Sequence, residues 1–190
     1  MSDLYDLLSD IRDHHVDLFE KAIGEMREQG HTLIIEPPVL NEVGGLAREG
    51  ALNLGARYDL AVQEGDNASP SMFSSSRMLD FQPLAFEGGG LSIVIAPFPW
   101  DGVRIAVDGD PLPVSAALAG WFEEALAAPE GVAEDGIQHA AHFLADPVVE
   151  GATSLTQADF GTADVDVVID LFDRLRLAVA TRVELSLPAS

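Results

Sequence analysis

The sequence predicts an α+β chain: a mixed, mainly antiparallel sheet with an N-terminal helix, a central helix and a C-terminal βαβ crossover helix packed on it. Three observations lead there. Apolar residues recur at helical spacing through the N-terminal segment. Short apolar runs separated by glycine turns fill the middle. A helix-period run flanked by two strand-like runs ends the chain.

The first helix is expected over about 3–29, because Leu4, Leu7, Leu8, Ile11, Leu18, Phe19, Ala22, Ile23 and Met26 form one apolar stripe. Ser2 is placed to cap its start, Asp3 and Asp6 suit the positive end of its dipole, and Gly30 stops it. Thr32 to Glu36 reads as a short strand cut off by Pro37 and Pro38, and a second strand is expected at Tyr58–Val62. The stretch 65–76, rich in Ser, Asn and Pro, reads as a mobile loop, a candidate lid or linker within one domain spanning 1–190.

A meander follows. Leu79 and Phe81 share one parity and Leu84 and Phe86 the other, so Pro83 between them implies a bulge or an edge position. Gly88-Gly89-Gly90 turns the chain into a nearly all-apolar strand from Leu91 to Ala96, as expected of a strand covered on both faces, and Val103, Ile105 and Val107 mark the return strand. Asp108-Gly109-Asp110 closes the pair, before a helix over Val114–Ala128 ended by Pro129 and an acidic loop. Ile137–Leu144 has strand-like length between Gly136 and Pro147. Thr153–Phe160, a helix from about Val165 capped by Thr162 or Asp164, and a strand at Val183–Leu187 complete a crossover between parallel strands.

Composition limits the chemistry. Thirty-two acids face ten bases, nine of them arginine, for a formal charge of −22. Such a surface repels nucleic acid and anionic membranes and favours a basic protein partner, although acidity alone also serves solubility. Without cysteine there are no disulfides, thiolate zinc sites, iron–sulfur clusters or cysteine nucleophiles. The opening residues do not form a secretory signal, so a bacterial cytoplasmic location is expected.

Few motifs carry chemistry. His139 and His142 make an H-x-x-H pair, which on a helix would place both rings on one face as metal ligands, with Asp146 or Glu150 nearby. On a strand the same spacing sends them to opposite faces. His15 falls on the apolar stripe of the first helix and reads as structural. The glycine runs lack a following helix or lysine, Ser74-Ser75-Ser76 has no lysine or histidine close in sequence, and the carboxylate pairs are too numerous to be diagnostic. In the loop Pro97–Gly102, Phe98 and Trp100 are candidate partner-binding anchors, or else fold back over the sheet edge. The expectation is an acidic binding protein, an immunity-type inhibitor or chaperone-like protein, capturing a basic protein partner and needing no cofactor. The alternatives are a metal-assisted hydrolase with a dispersed His/Asp/Glu site and a self-associating structural protein or homo-oligomer.

Overall fold

In the computed structural model of the chain, which describes residues 2–65, 67–73, 78–127 and 136–188, helix α1 covers Ser2–Glu28. The side chain of Ser2 lies outside the described residues. Gly30, at φ +89°, ends the helix as its spacing predicts. The apolar stripe serves two clusters in turn. Leu4, Leu8 and Ile11 join the main core, whereas Phe19 and Ile23 pack on Ile35, Leu60 and Ile137 in a smaller one.

The strands form two sheets. The small sheet is an antiparallel meander of β1 (Thr32–Ile35), β2 (Leu60–Glu64) and β3 (Asn67–Ser71). The third strand corrects the expected 65–76 loop: Asn67 to Ser71 pairs residue by residue with Glu64 to Leu60. Pro70 is tolerated because β3 is an edge strand, exposed along most of its length. Residues 66 and 74–77, including Ser74-Ser75-Ser76, lie outside the described residues.

The large sheet begins with β4 (Leu84–Gly88) and β5 (Leu91–Ile95), joined by a two-residue turn in which Gly89 and Gly90 hold φ +59° and +89°. That left-handed pair is the turn that matches strand twist, and glycine enters it without a Cβ clash. Residues 78–83 carry no strand, so Pro83 is not a bulge; it ends an irregular segment just before β4, an edge strand of the large sheet. β6 (Val103–Asp108), β7 (Phe143–Leu144), β8 (Val148–Glu150), β9 (Thr153–Asp159) and β10 (Arg182–Ser186) complete the sheet, in the order β4-β5-β10-β6-β9-β7 with β8 also on β9. Among the described residues, only β5 and β10 pair in parallel. β10 and β9 both run antiparallel to β6, which lies between them, so the C-terminal crossover does join two parallel strands, one position apart.

Helix α2 (Pro111–Leu126) starts three residues earlier than its apolar pattern implies, because Asp110 accepts from the Leu112 amide and proline fits the first turn. Its successor α3 covers Val165–Leu177. Asp164 sits at the cap position of α3 but makes no capping bond; it pairs with Arg12 at 2.9 Å. Residues 128–135, including the acidic loop, lie outside the described residues. Ile137–His142 is not a strand. Its backbone bonds go elsewhere, from the Ala141 amide to Ala125 and from His142 to Asp159, and only Phe143 and Leu144 continue as ladder.

Leu91, Ile93, Ile95, Val103, Ile105, Val107, Val183 and Leu185 form a buried face that shares one cluster with α2, α3 and the first half of α1. Phe98 and Trp100 belong to it. Each is 1% exposed, and the Trp100 ring meets Phe160 edge-on at 4.9 Å. They are therefore not surface anchors: the chain folds both rings back over the end of the sheet. Trp100→Ala is expected to cost about 3–5 kcal/mol of stability in urea unfolding, as for other large-to-small core changes. A loss below about 1 kcal/mol would mean the ring is not packed as described.

Candidate functional site

Four strand ends meet where the two sheets come together. Glu36 follows β1 and Asp59 precedes β2, and their pairing is extended by the Glu36 amide donating to the Asp59 carbonyl at 2.8 Å. His142 precedes β7 and Asp159 ends β9, again joined by an amide-to-carbonyl bond of 2.9 Å. The two pairs face each other. His142 reaches Glu36 through Nε2 at 2.6 Å and Asp59 through Nδ1 at 3.0 Å, while Asp159 Oδ2 stands 3.7 Å from Nδ1.

The supporting bonds hold each group in place. The Glu36 carboxylate also accepts from the Thr162 hydroxyl at 2.7 Å and the Gln138 amide at 2.5 Å. Asp59 accepts from the Phe73 amide at 2.6 Å, and Asp159 from the Gly161 amide at 2.7 Å. Gly161, at φ +55°, lies so close that a Cβ would come within 2.4 Å of the Ala140 carbonyl and of the His142 ring. Only glycine fits there. Glu36 itself sits at φ +50°, an unfavourable conformation for a side-chain-bearing residue, held by its four contacts. The Arg57 guanidinium runs alongside, donating to the carbonyls of Glu36 and Leu126 at 2.8 and 3.0 Å.

Burial sets the electrostatics. Glu36 is 0% exposed, His142 2%, Asp59 4% and His15 4%. Burial disfavours charge on His142, yet bonding to Asp159, Asp59 and Glu36 outweighs it and holds the imidazole well above its ordinary value. Burial likewise opposes ionisation of Glu36, but His142, Gln138 and Thr162 bring it below the ordinary range. His15, from the middle of α1, is pushed down to about 4 by burial, against the pull of Asp159. It is neutral at physiological pH, and its Nδ1 has no hydrogen-bond partner among the described residues.

His139 and His142 do not converge. His139, at φ +52°, turns to the α1 side, where Nδ1 lies 3.4 Å from Arg12 and from Asp164. Asp146 is also elsewhere, accepting from the Ala51 and Leu52 amides at 2.5 and 2.8 Å, and Glu150 is exposed at the end of β8. His142 meets instead Asp59 and Asp159, whose donor atoms and its own lie within 4.8 Å of one another, a set able to hold a metal ion. The sequence offered no local sign of these partners. A groove of ≈ 440 Å³ lined by Val39, Leu54, Tyr58, Phe143, Leu144 and Asp146 among others, next to Asp59 and His142 in sequence, is not lined by a histidine among the described residues.

A second feature lies on the opposite side of α1 from its buried stripe. Asp3, Asp6, Asp10, Asp13, Asp17 and Glu20 recur at alternating intervals of three and four and are all exposed. Six carboxylates thus form one ridge about 26 Å long. The same periodicity that locates the apolar stripe would have located this ridge in the sequence. No family model, curated protein or solved structure matches the chain, so both features are interpreted from their own chemistry.

The raised His142 pKa fixes the sign of a pH effect. In metal-free protein its contribution to stability is complete below the unfolded value of about 6.5 and is lost as pH rises through the folded value. The difference in Tm between wild type and His142→Gln should therefore be flat just below pH 6.5 and shrink at alkaline pH. A difference that widens with pH contradicts this charge assignment.

Proposed function

We propose that this chain is an acidic binding protein, of the immunity-type or chaperone-like kind, that captures a basic protein partner in the cytoplasm. The observation that carries the reading is the exposed acidic ridge of α1, on a chain of net charge −22. Neighbouring carboxylates on the ridge are about 5–6 Å apart, inside the Debye length of about 10 Å at 0.1 M salt, so their fields add over the length of the helix. Of the bases on α1, Arg12 pairs with Asp13 at 3.1 Å while also reaching Ala163, Thr162 and Asp164, and Lys21 and Arg27 lie toward the C-terminal end, so the ridge keeps a net negative charge.

The ridge fits a partner surface bearing a row of Lys or Arg side chains. Complementary charge of this kind accelerates association and rejects acidic competitors. The same ridge repels phosphate backbones, which disfavours nucleic acid. Among the described residues no helix is long and apolar enough to cross a membrane.

The hydrolase reading has less support. In the histidine–carboxylate centre Glu36, Asp59 and His142 are buried and Asp159 is part-exposed, which leaves little of it accessible to a substrate. In the adjoining groove Asp146 is engaged with two backbone amides and no nucleophile–base pair is present.

Replacing Asp6, Asp10, Asp13 and Asp17 together by Asn tests the partner reading. A basic protein co-purified with the wild type at about 0.05 M salt should be lost at about 0.5 M salt. It should also bind the variant at least about tenfold more weakly, with the helical circular dichroism unchanged. Equal recovery at both salt concentrations, or equal affinity for the variant, contradicts the reading.

A further inference from the structure

We propose that Asp59, His142 and Asp159 form a zinc site that locks the small sheet to the large one. The site is independent of the partner reading and lies beneath α1, not on its exposed ridge.

Geometry is the first support. Two donors each about 2.0 Å from a tetrahedral zinc ion lie about 3.3 Å apart. His142 Nδ1 stands 3.0 Å from Asp59 Oδ1 and 3.7 Å from Asp159 Oδ2, on either side of that spacing. The three donor atoms fall within a 4.8 Å span. Small adjustments of two carboxylates would surround an ion.

The second support is the donor chemistry. One imidazole and two carboxylates make a mixed nitrogen–oxygen set that zinc accepts and that magnesium and calcium do not favour. Beside them His15 is 4% exposed, and its Nδ1 has no partner among the described residues, a costly state for a buried polar atom.

Glu36 supplies the third support. Metal-bound histidines usually donate their other ring N–H to a carboxylate, which fixes the tautomer. His142 Nε2 lies 2.6 Å from Glu36, itself fixed by Thr162 and Gln138, so Nδ1 is directed at the aspartates. Binding would release the Nδ1 proton and leave the Nε2–H bond intact. Charge agrees as well. Two buried carboxylates and the part-buried Asp159 face one imidazole, and a dication would offset the excess that a single imidazolium leaves. Asp59 comes from the small sheet and His142 and Asp159 from the large one, so the ion would tie one sheet to the other.

The test uses untagged full-length protein expressed with zinc in the medium. Elemental analysis after gel filtration should find one zinc per chain, and chelation should lower Tm, with recovery on adding zinc but not magnesium. Asp159→Asn keeps the Oδ1 that accepts from Gly161 and replaces the oxygen facing His142. It should fold, with a Tm near that of the chelated wild type, and fail to retain zinc. Glu36→Gln should weaken zinc binding by about 10–100-fold. Wild-type protein free of metal whose Tm does not respond to added zinc would overturn the proposal. So would full zinc occupancy in Asp159→Asn, which would place the ion elsewhere.

Discussion

The contact on which the rest of this structure depends is the one between His142 and the carboxylates of Glu36 and Asp59. No strand of the small sheet pairs with a strand of the large one among the described residues. What joins them is side-chain chemistry at four strand ends, the Arg57 amide bonded to the His142 carbonyl at 2.9 Å, and α1 lying across both cores. A buried imidazole bonded to two carboxylates is directional where apolar packing is not. It therefore fixes how the sheets meet more sharply than the small apolar cluster could. The arrangement carries costs: an unfavourable backbone at Glu36, a glycine requirement at 161 and charges withdrawn from water.

Helix α1 shows how one sequence period can serve several roles. Its inward stripe begins on the large core, passes His15 at the boundary and ends on the small core, so the helix is a strap over the junction. Its outward stripe is the acidic ridge. Arg12, 15% exposed, binds the turn after β9 through Ala163 and Thr162. A partner on the ridge would press on the helix that covers the buried centre, so binding and the integrity of that centre are physically adjacent.

Much of this fold was legible in the sequence wherever one periodicity decided an element. α1, β5, β6, α3 and β10 follow from apolar spacing, and the parallel relation of β9 and β10 from the length of the crossover. Where local cues pointed to turns, tertiary pairing prevailed. Asn67–Ser71 is polar and contains a proline, yet it forms an edge strand because β2 offers it a ladder. Phe98 and Trp100 looked available in a proline-rich loop but fill the end of the core. The centre itself was not legible: Asp59 and Glu36 lie 83 and 106 positions from His142 and carry no spacing signature. Among thirty-two acids nothing marked those two, whereas the H-x-x-H motif pointed to His139, which a left-handed backbone turns away.

The claim that an imidazolium bridges the two sheets has a direct spectroscopic test. Long-range nitrogen–proton correlation spectra of metal-free protein report the protonation of each ring nitrogen. The account predicts that at pH 7 His142 carries protons on both Nδ1 and Nε2, while His15 carries only one. A singly protonated His142 at that pH would contradict it, because Asp59 and Glu36 would then not be held by a shared positive charge.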